Sequence, residues 1–295
     1  CELVKGLPWL RSAVPIPAQP GIAAMLALRK ALRGPGAMLA VVFPHSFRAA
    51  LAAWVSGAEV RLGYVRDGRS WLLTHNVLPY REDGAIVPVY MGREYLDLVK
   101  TIGCEDDGEG LELAAEPEAV EQIRARLEGE GPLVAVAPGA AFGPSKRWPP
   151  ERYAAVIDQL HDEAGARLVL VTGPGEEDTR DAVLSAARYP VIVADGGHPT
   201  IDTLKATLAL ADLLIGNDSG PRHVAIAFKK PVICIMGPTS PRYSAGPYET
   251  GEVLRVEVDC GPCQKPECAT DFRCMTRIAP ETVVAAALRH LPAKR

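Results

Sequence analysis

Two loops in the second half of the chain carry the residues best suited to hold an anion. Residues 138–148 include small residues that let backbone N–H groups approach an anion, and Lys146 adds a mobile positive charge. Residues 216–223 place Asp218 and Gly220 immediately before an amphipathic segment. A helix that begins there offers unpaired N–H groups to a diphosphate. Both loops follow apolar runs typical of buried strands, so we expect them at one edge of a parallel sheet.

Each of these loops also has an ordinary structural interpretation. Residues 138–148 are equally compatible with a strand-to-helix turn that carries a solvated Lys-Arg pair. A lone Asp-Ser-Gly such as that at Asp218 is more often a helix cap than a ligand-binding group. Two such loops at one edge of a sheet favour a ligand site. A third loop carries Glu176, whose carboxylate can accept hydrogen bonds from ribose hydroxyls or can cap a helix.

The elements that must position these loops alternate along the chain. Short apolar runs rich in β-branched residues predict buried strands at 133–137, 167–171, 191–193, 213–215 and 231–235. Amphipathic segments between them predict helices on both faces of a parallel sheet, and a last helix at 280–291. The first half repeats this theme less completely. There we predict helices at 21–32, 46–55, 91–102 and 116–129, strands at 38–43 and 59–62, and a long connection at 63–90.

Length and composition indicate the class of protein. A chain of 295 residues predicts two domains, which we place at 1–130 and 131–278, followed by a C-terminal helix at 279–295. With 48% hydrophobic and 23% charged residues, the composition is that of a soluble globular protein. The formal net charge of −4 argues against a dedicated nucleic-acid binder. No apolar run approaches the ~18 residues of a transmembrane helix.

Several short motifs of this sequence carry a family resemblance. They are Pro138-Gly139-Ala140, Phe142-Gly143-Pro144, Lys146-Arg147-Trp148-Pro149, Asn217-Asp218-Ser219-Gly220 with His223, Gly237-Pro238-Thr239-Ser240-Pro241, and Phe43-Pro44-His45-Ser46-Phe47-Arg48 with Arg61, Gly63 and Tyr64. Together they resemble the ADP-heptose:lipopolysaccharide heptosyltransferase family, glycosyltransferase family 9, over nearly the whole chain. The resemblance implies an α/β fold of the GT-B type, with two Rossmann-like doubly wound domains that face a cleft and the nucleotide sugar in the C-terminal one.

The resemblance also implies an activity, the inverting transfer of L-glycero-D-manno-heptose from ADP-heptose to the lipopolysaccharide inner core. Lys146 is implied to neutralise the leaving diphosphate, and Asp218 to contact hydroxyls of the donor sugar. The other implied donor contacts are Gly139, Ala140, Ser145, Glu176, Ser219, Gly220 and His223. No divalent metal is required by this scheme. The implied location is the cytoplasm, with peripheral contact at the cytoplasmic face of the inner membrane.

Acceptor binding is expected in the first domain. The candidate residues are Ser46, Arg48 and Arg61. Arginine suits this role because its planar fork matches the phosphate and carboxylate groups of the inner core.

The beginning of the chain departs from the family pattern. The family carries an Asp in a glycine-rich loop after its first strand, where it resembles a general base, and no residue of this sequence matches it. The chain opens at Cys1 without a signal-peptide pattern. A mature lipoprotein also begins with Cys, but the lack of an opening strand and glycine-rich turn favours a fragment. We therefore expect an incomplete N-terminal domain without its first βα unit.

Four of the seven cysteines crowd together near the end of the chain, at Cys260, Cys263, Cys268 and Cys274. Four thiols in such a span can hold a tetrahedral zinc ion, although only the first two form a CxxC pair. Free thiols or facultative disulfides are the alternative, and an iron–sulfur cluster is a weaker one. Any metal here would be structural, because the cluster precedes the last helix.

Three other functions are compatible with the sequence. A nucleotide-sugar 2-epimerase shares the two-domain architecture but acts on UDP-N-acetylglucosamine, so a comparison of ADP and UDP binding separates it. A nucleotide-binding module without catalysis fits a chain that lacks the general base. A metal-dependent redox or regulatory protein would be built on the cysteine cluster.

Overall fold

The computed structural model describes residues 2–16, 22–32 and 39–292, and these form two compact units. Within these ranges, residues 9–108 form the first unit, and residues 2–8 with 109–292 form the second. Cys1, Gly21 and Met38, which bear on the predicted chain start, first helix and first strand, lie outside the described residues.

The helices of eight or more residues follow the predicted amphipathic segments, whereas two four-residue helices, at 241–244 and 273–276, were not predicted. In chain order, the helices are α1 (Ile22–Leu32), α2 (Phe47–Ser56), α3 (Met91–Lys100), α4 (Pro117–Arg126), α5 (Pro150–Ala164), α6 (Glu177–Ala186), α7 (Ile201–Leu210), α8 (Gly220–Ala227), α9 (Pro241–Ser244), α10 (Arg273–Thr276) and α11 (Pro280–His290). Proline stands in the first turn of α4, α5, α8, α9 and α11, where its missing N–H costs no intrahelical hydrogen bond.

The strands of the described residues form three sheets, two in the first unit and one in the second. They are β1 (Leu39–Val42), β2 (Val60–Tyr64), β3 (His75–Val77), β4 (Arg81–Glu82), β5 (Ala85–Ile86), β6 (Leu133–Ala137), β7 (Arg167–Leu170), β8 (Leu213–Asn217), β9 (Val232–Ile235) and β10 (Gly251–Leu254). The first unit contains the parallel order β1-β2-β3 and the small hairpin β4-β5. The second unit contains the parallel order β10-β9-β8-β6-β7.

The sheet of the second unit separates two cores, and its interior strand β6 contributes to both. Val134 and Val136 point into one core, which also contains apolar residues of α5 and α11. Ala135 and Ala137 point into the other core, which α4 and α7 cover. Because side chains alternate across a strand, one short apolar run fills both cores. Both faces of the sheet are therefore covered, as the unbroken apolar runs predict.

The division into units lies earlier in the chain than the predicted boundary at residues 130 and 131. Helix α4 belongs to the second unit because Ile123 and Leu127 pack into its core. Helix α11 is also part of that unit and not a separate segment, since Val283 and Ala287 are buried in the other core. Residues 2–8 join the second unit as well. There the fully buried Lys205 ammonium donates to the backbone oxygen of Glu2 at 3.1 Å.

Three local predictions differ from the structure. The predicted strand at 191–193 contributes only one parallel bridge, between Ile192 and Val169. Strand β10 was not predicted; it extends the sheet beside β9. The predicted connection at 63–90 contains β3 and the β4-β5 hairpin. Such short pairings depend on neighbouring strands and leave little periodic signal in the sequence.

Candidate functional site

Three loops of the second unit meet at the carboxyl edge of its sheet. Strand β6 pairs with β8 on one side and with β7 on the other, so the loops that follow these three strands are neighbours. Strand order reverses at this point, which is where open parallel sheets bind ligands. A cavity of about 190 Å³ lies there. Predicted donor-binding residues that line it are Gly139, Ala140, Glu176, Ser219 and Gly220.

Glu176 is the acidic group of this cavity. Its Oε2 accepts a hydrogen bond from the Gly173 backbone N–H at 2.7 Å, and its side chain does not cap α6. The carboxylate packs against Gly139, where a Cβ would lie only 1.9 Å from Oε2. Glycine is therefore required at residue 139 to let the carboxylate enter the cavity. A carboxylate held in this way can accept hydrogen bonds from ribose hydroxyls.

Lys146 and Asp218 form a buried ion pair beside Ser219. The Lys146 ammonium donates to Asp218 Oδ2 at 2.8 Å and to the Asp218 backbone oxygen at 2.9 Å. Thr239 Oγ1 donates to the same carboxylate oxygen at 2.7 Å. The residue that caps α8 is Ser219, so the Asp218 carboxylate is not the helix cap of the alternative interpretation. The structure brings together the two residues to which the family resemblance assigns the donor chemistry.

The surroundings of Asp218 favour its charged form. Burial alone would raise its pKa, but the hydrogen bond and charge of Lys146, the Thr239 hydroxyl and the charge of Arg222 lower the pKa to about 2. Burial lowers the pKa of the adjacent His223, and the charge of Arg222 lowers it further. The site therefore holds an ionised carboxylate next to a neutral imidazole near neutral pH.

Arg222 and Glu249 were not predicted as site residues. Arg222 Nη1 donates to Asp218 Oδ1 at 2.8 Å, and its Nε and Nη2 donate to the two Glu249 carboxylate oxygens at 2.7 and 2.6 Å. The Arg222 side chain is completely buried. The sequence contains one clue, since Arg222 lies four residues after Asp218, in the first turn of the helix that follows it. Nothing in the sequence indicates that Glu249 binds the Arg222 guanidinium on the side away from Asp218.

Asn217, part of a motif named above but without an assigned role, joins the loops at residues 138–148 and 216–223. Its side-chain NH₂ donates to the backbone oxygens of Pro138 and Gly139 at 2.7 and 3.2 Å. Its Oδ1 accepts from the Trp148 backbone N–H at 3.2 Å and from the Tyr153 hydroxyl at 2.9 Å. With 1% of its surface exposed, Asn217 is a buried amide whose hydrogen-bonding groups are all engaged. It therefore fixes the relative position of the two loops.

Ser145 has a different place from the one predicted. Its backbone N–H donates to the Pro266 backbone oxygen at 3.0 Å, and its hydroxyl donates to that of Lys265 at 2.6 Å. It lines a neighbouring cavity and not the one that contains Glu176. The side chain is held in this way because the segment that carries the cysteines packs against the Lys146 loop. The two hydrogen bonds of Ser145 thus stabilise the Lys146 loop on the side that faces the cysteine segment.

The four clustered cysteines line this second cavity, whose volume is about 90 Å³. All cysteines of the described ranges are free thiols. Within those ranges, no three Cys, His, Asp or Glu side chains are arranged to hold a metal ion. The arrangement of the thiols therefore gives no support to the zinc site, which stays a prediction.

The predicted acceptor residues of the first unit have mixed roles. Ser46 caps α2, where its hydroxyl accepts from the Ala49 N–H at 3.3 Å. The Arg61 guanidinium donates to the backbone oxygens of Leu72 and Ala58 at 2.7 and 2.6 Å. Both side chains therefore stabilise local backbone. Arg48 is exposed in the first turn of α2.

No helix in residues 2–16, 22–32 or 39–292 has the length and apolar character needed to cross a bilayer.

A doubly wound parallel sheet with a carboxylate, an ammonium and a helix N-terminus at its switch point is the arrangement of nucleotide-binding α/β proteins. The family model for glycosyltransferase family 9 (heptosyltransferase) matches residues 25–272. The chain belongs to this family of glycosyltransferases.

Individual relatives agree with this assignment. The chain is 26% identical to lipopolysaccharide heptosyltransferase 2 of Escherichia coli, with 96% of this chain and 84% of the relative covered. It is 27% identical to lipooligosaccharide heptosyltransferase 2 of Haemophilus influenzae, with 86% and 76% covered. The solved structure of ADP-heptose lipopolysaccharide heptosyltransferase II of E. coli has the same fold, with a TM-score of 0.68, 24% identity, and 90% of this chain and 79% of that chain covered. The predicted α/β fold of the GT-B type is thus confirmed.

Proposed function

We propose that this protein is an inverting glycosyltransferase that transfers L-glycero-D-manno-heptose from ADP-heptose to the lipopolysaccharide inner core. The observation that carries the proposal is the position of Lys146 and Asp218 next to a cavity that contains Glu176, at one edge of one sheet. Family membership supports the transfer of a glycosyl group. The names of the relatives support heptose as the group transferred and lipopolysaccharide as the acceptor.

The donor nucleotide is proposed to bind across the cavity. Ribose hydroxyls donate to the Glu176 carboxylate, which is held half-buried by the Gly173 N–H. The diphosphate lies at the N-terminus of α8, where backbone N–H groups and the helix dipole favour an anion. At Gly220 no atom lies within 4 Å of the place where a Cβ would stand, so a ligand can approach the backbone there.

Lys146 is proposed to stabilise the leaving ADP. When the bond between the heptose and the diphosphate breaks, negative charge grows on the diphosphate, and a positioned ammonium lowers the energy of that transition state. The Lys146 side chain is 13% exposed, so it is not completely closed off from a ligand. Asp218, already ionised, accepts hydrogen bonds from hydroxyls of the donor sugar.

The proposed transfer step uses no divalent cation, because Lys146 and the N–H groups of α8 supply positive charge where it is needed. The cavity lined by the four cysteines lies behind the Lys146 loop, which Ser145 connects to Lys265. A structural zinc ion, if those thiols bind one, would support the loop without entering the reaction.

The acceptor is proposed to bind through the first unit, where Arg48 is an exposed residue in the first turn of α2. Lipopolysaccharide is anchored in a membrane, so a cytoplasmic transferase must reach its acceptor at the cytoplasmic face of the inner membrane. We expect peripheral association with vesicles that contain the acceptor. No binding of nucleic acid is proposed.

The test compares four ligands by isothermal titration calorimetry and then follows transfer by mass spectrometry. The proposal predicts tighter binding of ADP than of UDP, and of ADP-heptose than of UDP-N-acetylglucosamine. It also predicts that truncated inner-core lipopolysaccharide gains one heptosyl residue. Preference for the uridine ligands, with epimerised product, would replace the transferase by a nucleotide-sugar 2-epimerase. Selective ADP-heptose binding without any transfer would indicate a nucleotide-binding module.

A further inference from the structure

Four charged side chains alternate in sign along a buried row at the donor site. Lys146 contacts Asp218, Asp218 contacts Arg222, and Arg222 contacts Glu249, over distances of 2.8, 2.8 and 2.6 Å. The side chains of the last three are 7%, 0% and 8% exposed. Buried ion pairs of this kind lose much stability when one partner is removed, because the other charge is left unpaired.

The two cations that share Asp218 are held very differently. The Arg222 guanidinium donates to both Glu249 oxygens, and its Nη1 also donates to the Ser244 hydroxyl at 3.1 Å. It cannot turn away from Asp218 without breaking these bonds. Lys146 ends in a single ammonium on a flexible stem, and its ring contact is with Phe142 at 5.0 Å. Of the two, Lys146 is the cation that can move toward a ligand.

If a bound diphosphate attracts the Lys146 ammonium, Asp218 loses one of its two counter-ions while its carboxylate stays buried. Arg222 remains in place and keeps one oxygen of the carboxylate paired. From this arrangement we infer, on the basis of the proposed function, that Arg222 is a positioning residue for Asp218. Because Glu249 holds the Arg222 guanidinium in place, Arg222 keeps the Asp218 carboxylate directed toward the donor sugar while Lys146 turns to the leaving diphosphate.

Several charged or titratable groups lie around Asp218 and contribute to the pH dependence of the site. They are Lys146 on the first loop, Arg222 and His223 on α8, Cys234 on β9, and Glu249 before β10. Burial opposes the charge of Arg222, but its hydrogen bonds to Glu249 raise the pKa of the guanidinium, so it stays charged at any working pH. Removal of Arg222 therefore takes away a fixed charge and raises the pKa of Asp218.

The experiment measures the ratio of ADP-heptose affinity to ADP affinity between pH 5 and pH 9. Arg222→Met should lower this ratio by about tenfold or more, as expected for a lost hydrogen bond to a charged group. The ADP affinity itself should change much less, because the nucleotide contacts are intact. The loss should be greatest at the lowest pH at which the protein stays folded, because removal of Arg222 raises the pKa of Asp218. A role in stability alone would lower both affinities or the folded fraction and would leave the ratio and its pH dependence unchanged.

Three further variants complete the experiment. Arg222→Lys should restore part of the ratio, since it keeps the charge but not the planar fork. Glu249→Gln, nearly unchanged in shape, should lower the ratio in the same direction and provides the measurement if Arg222→Met does not fold. Arg289→Met is the matched control, because it breaks another bidentate pair, with Glu252, that lies outside the site.

The outcomes separate this inference from the proposed function. Wild-type protein without selective ADP-heptose binding would overturn the proposed function and, with it, this inference. Selective wild-type binding combined with an unchanged affinity ratio in folded Arg222 and Glu249 variants would overturn the inference alone.

Discussion

The Lys146 ammonium donates to both the side chain and the backbone oxygen of Asp218, at 2.8 and 2.9 Å. These residues lie far apart in the chain, but their loops follow β6 and β8, which are paired in the sheet. The contact therefore follows directly from strand order. It also means that the ammonium proposed to stabilise the leaving diphosphate is held, before a ligand binds, by the residue that is proposed to contact the sugar.

Replacement of Lys146 by Met should lower kcat for heptosyl transfer by about 10²–10³-fold, because the growing charge on ADP loses its counter-ion. Lys146→Arg should retain part of the activity, since it keeps the charge. Lys100→Met, at an exposed lysine of the first unit, serves as the control and should match wild type. A Lys146→Met enzyme with kcat close to that of wild type would remove this lysine from the mechanism.

Asp218 should make stability depend on pH. Its pKa is about 2 in the folded protein and near 3.8 when unperturbed, so the folded state binds protons more weakly. The resulting stabilisation, about 2 kcal/mol, is fully present above pH 4 and is lost as the pH falls toward 2. Urea unfolding of wild type and Asp218→Asn should therefore show a stability difference that narrows by about 1 kcal/mol between pH 6 and pH 3. A difference that is constant over this range would contradict the assigned ion pair.

Two glycines of the cavity should respond differently to Ala. At Gly220 the added methyl group meets open space, so the thermal midpoint of unfolding should be unchanged. The affinity for ADP should fall by about tenfold, because the methyl group keeps the diphosphate away from the backbone N–H groups of α8. At Gly139 the methyl group would collide with Glu176, so both stability and ADP affinity should fall. Thermal unfolding and calorimetry measure both quantities. Unchanged ADP affinity in Gly220→Ala would place the diphosphate elsewhere.

Thiol reactivity should distinguish the cysteines and test the zinc site. Hydrogen bonds from Thr270 lower the pKa of the exposed Cys268, whereas burial raises the pKa of Cys234 to about 12. With a chromogenic disulfide reagent, Cys268 should react first, and Cys234 only after unfolding. If the clustered thiols bind zinc, one equivalent should protect them and leave the exposed Cys104 reactive. Equal rates with and without zinc, together with no zinc in the purified protein, would exclude the structural metal.

The sequence predicts the second unit well because its elements have strong periodic signals. The apolar run at 133–137 has the bounds of β6, and the segment at 280–291 has nearly those of α11. The sequence also predicts that the loops of Lys146 and Asp218 lie at one edge of a parallel sheet, and the pairing of β6 with β8 in the structure brings the two loops together. The predicted domain boundary was placed too late because α4 looks like a charged linker helix, and only packing of Ile123 and Leu127 shows where it belongs.

The rest of the site depends on tertiary contacts that have no sequence period. Glu249 reaches Arg222 from the segment before β10, a strand that the sequence does not reveal. Ser145 lies in a family motif, yet its hydroxyl donates a hydrogen bond to the backbone oxygen of Lys265. In each case the partner is set by how loops pack, and a pattern read along one chain does not contain that information.

A crystal structure of the protein with ADP tests the central claim most directly. We expect diphosphate oxygens about 3 Å from the Lys146 ammonium and from backbone N–H groups at the start of α8, with ribose hydroxyls bound to the Glu176 carboxylate. ADP bound with its diphosphate away from both Lys146 and α8 would contradict it.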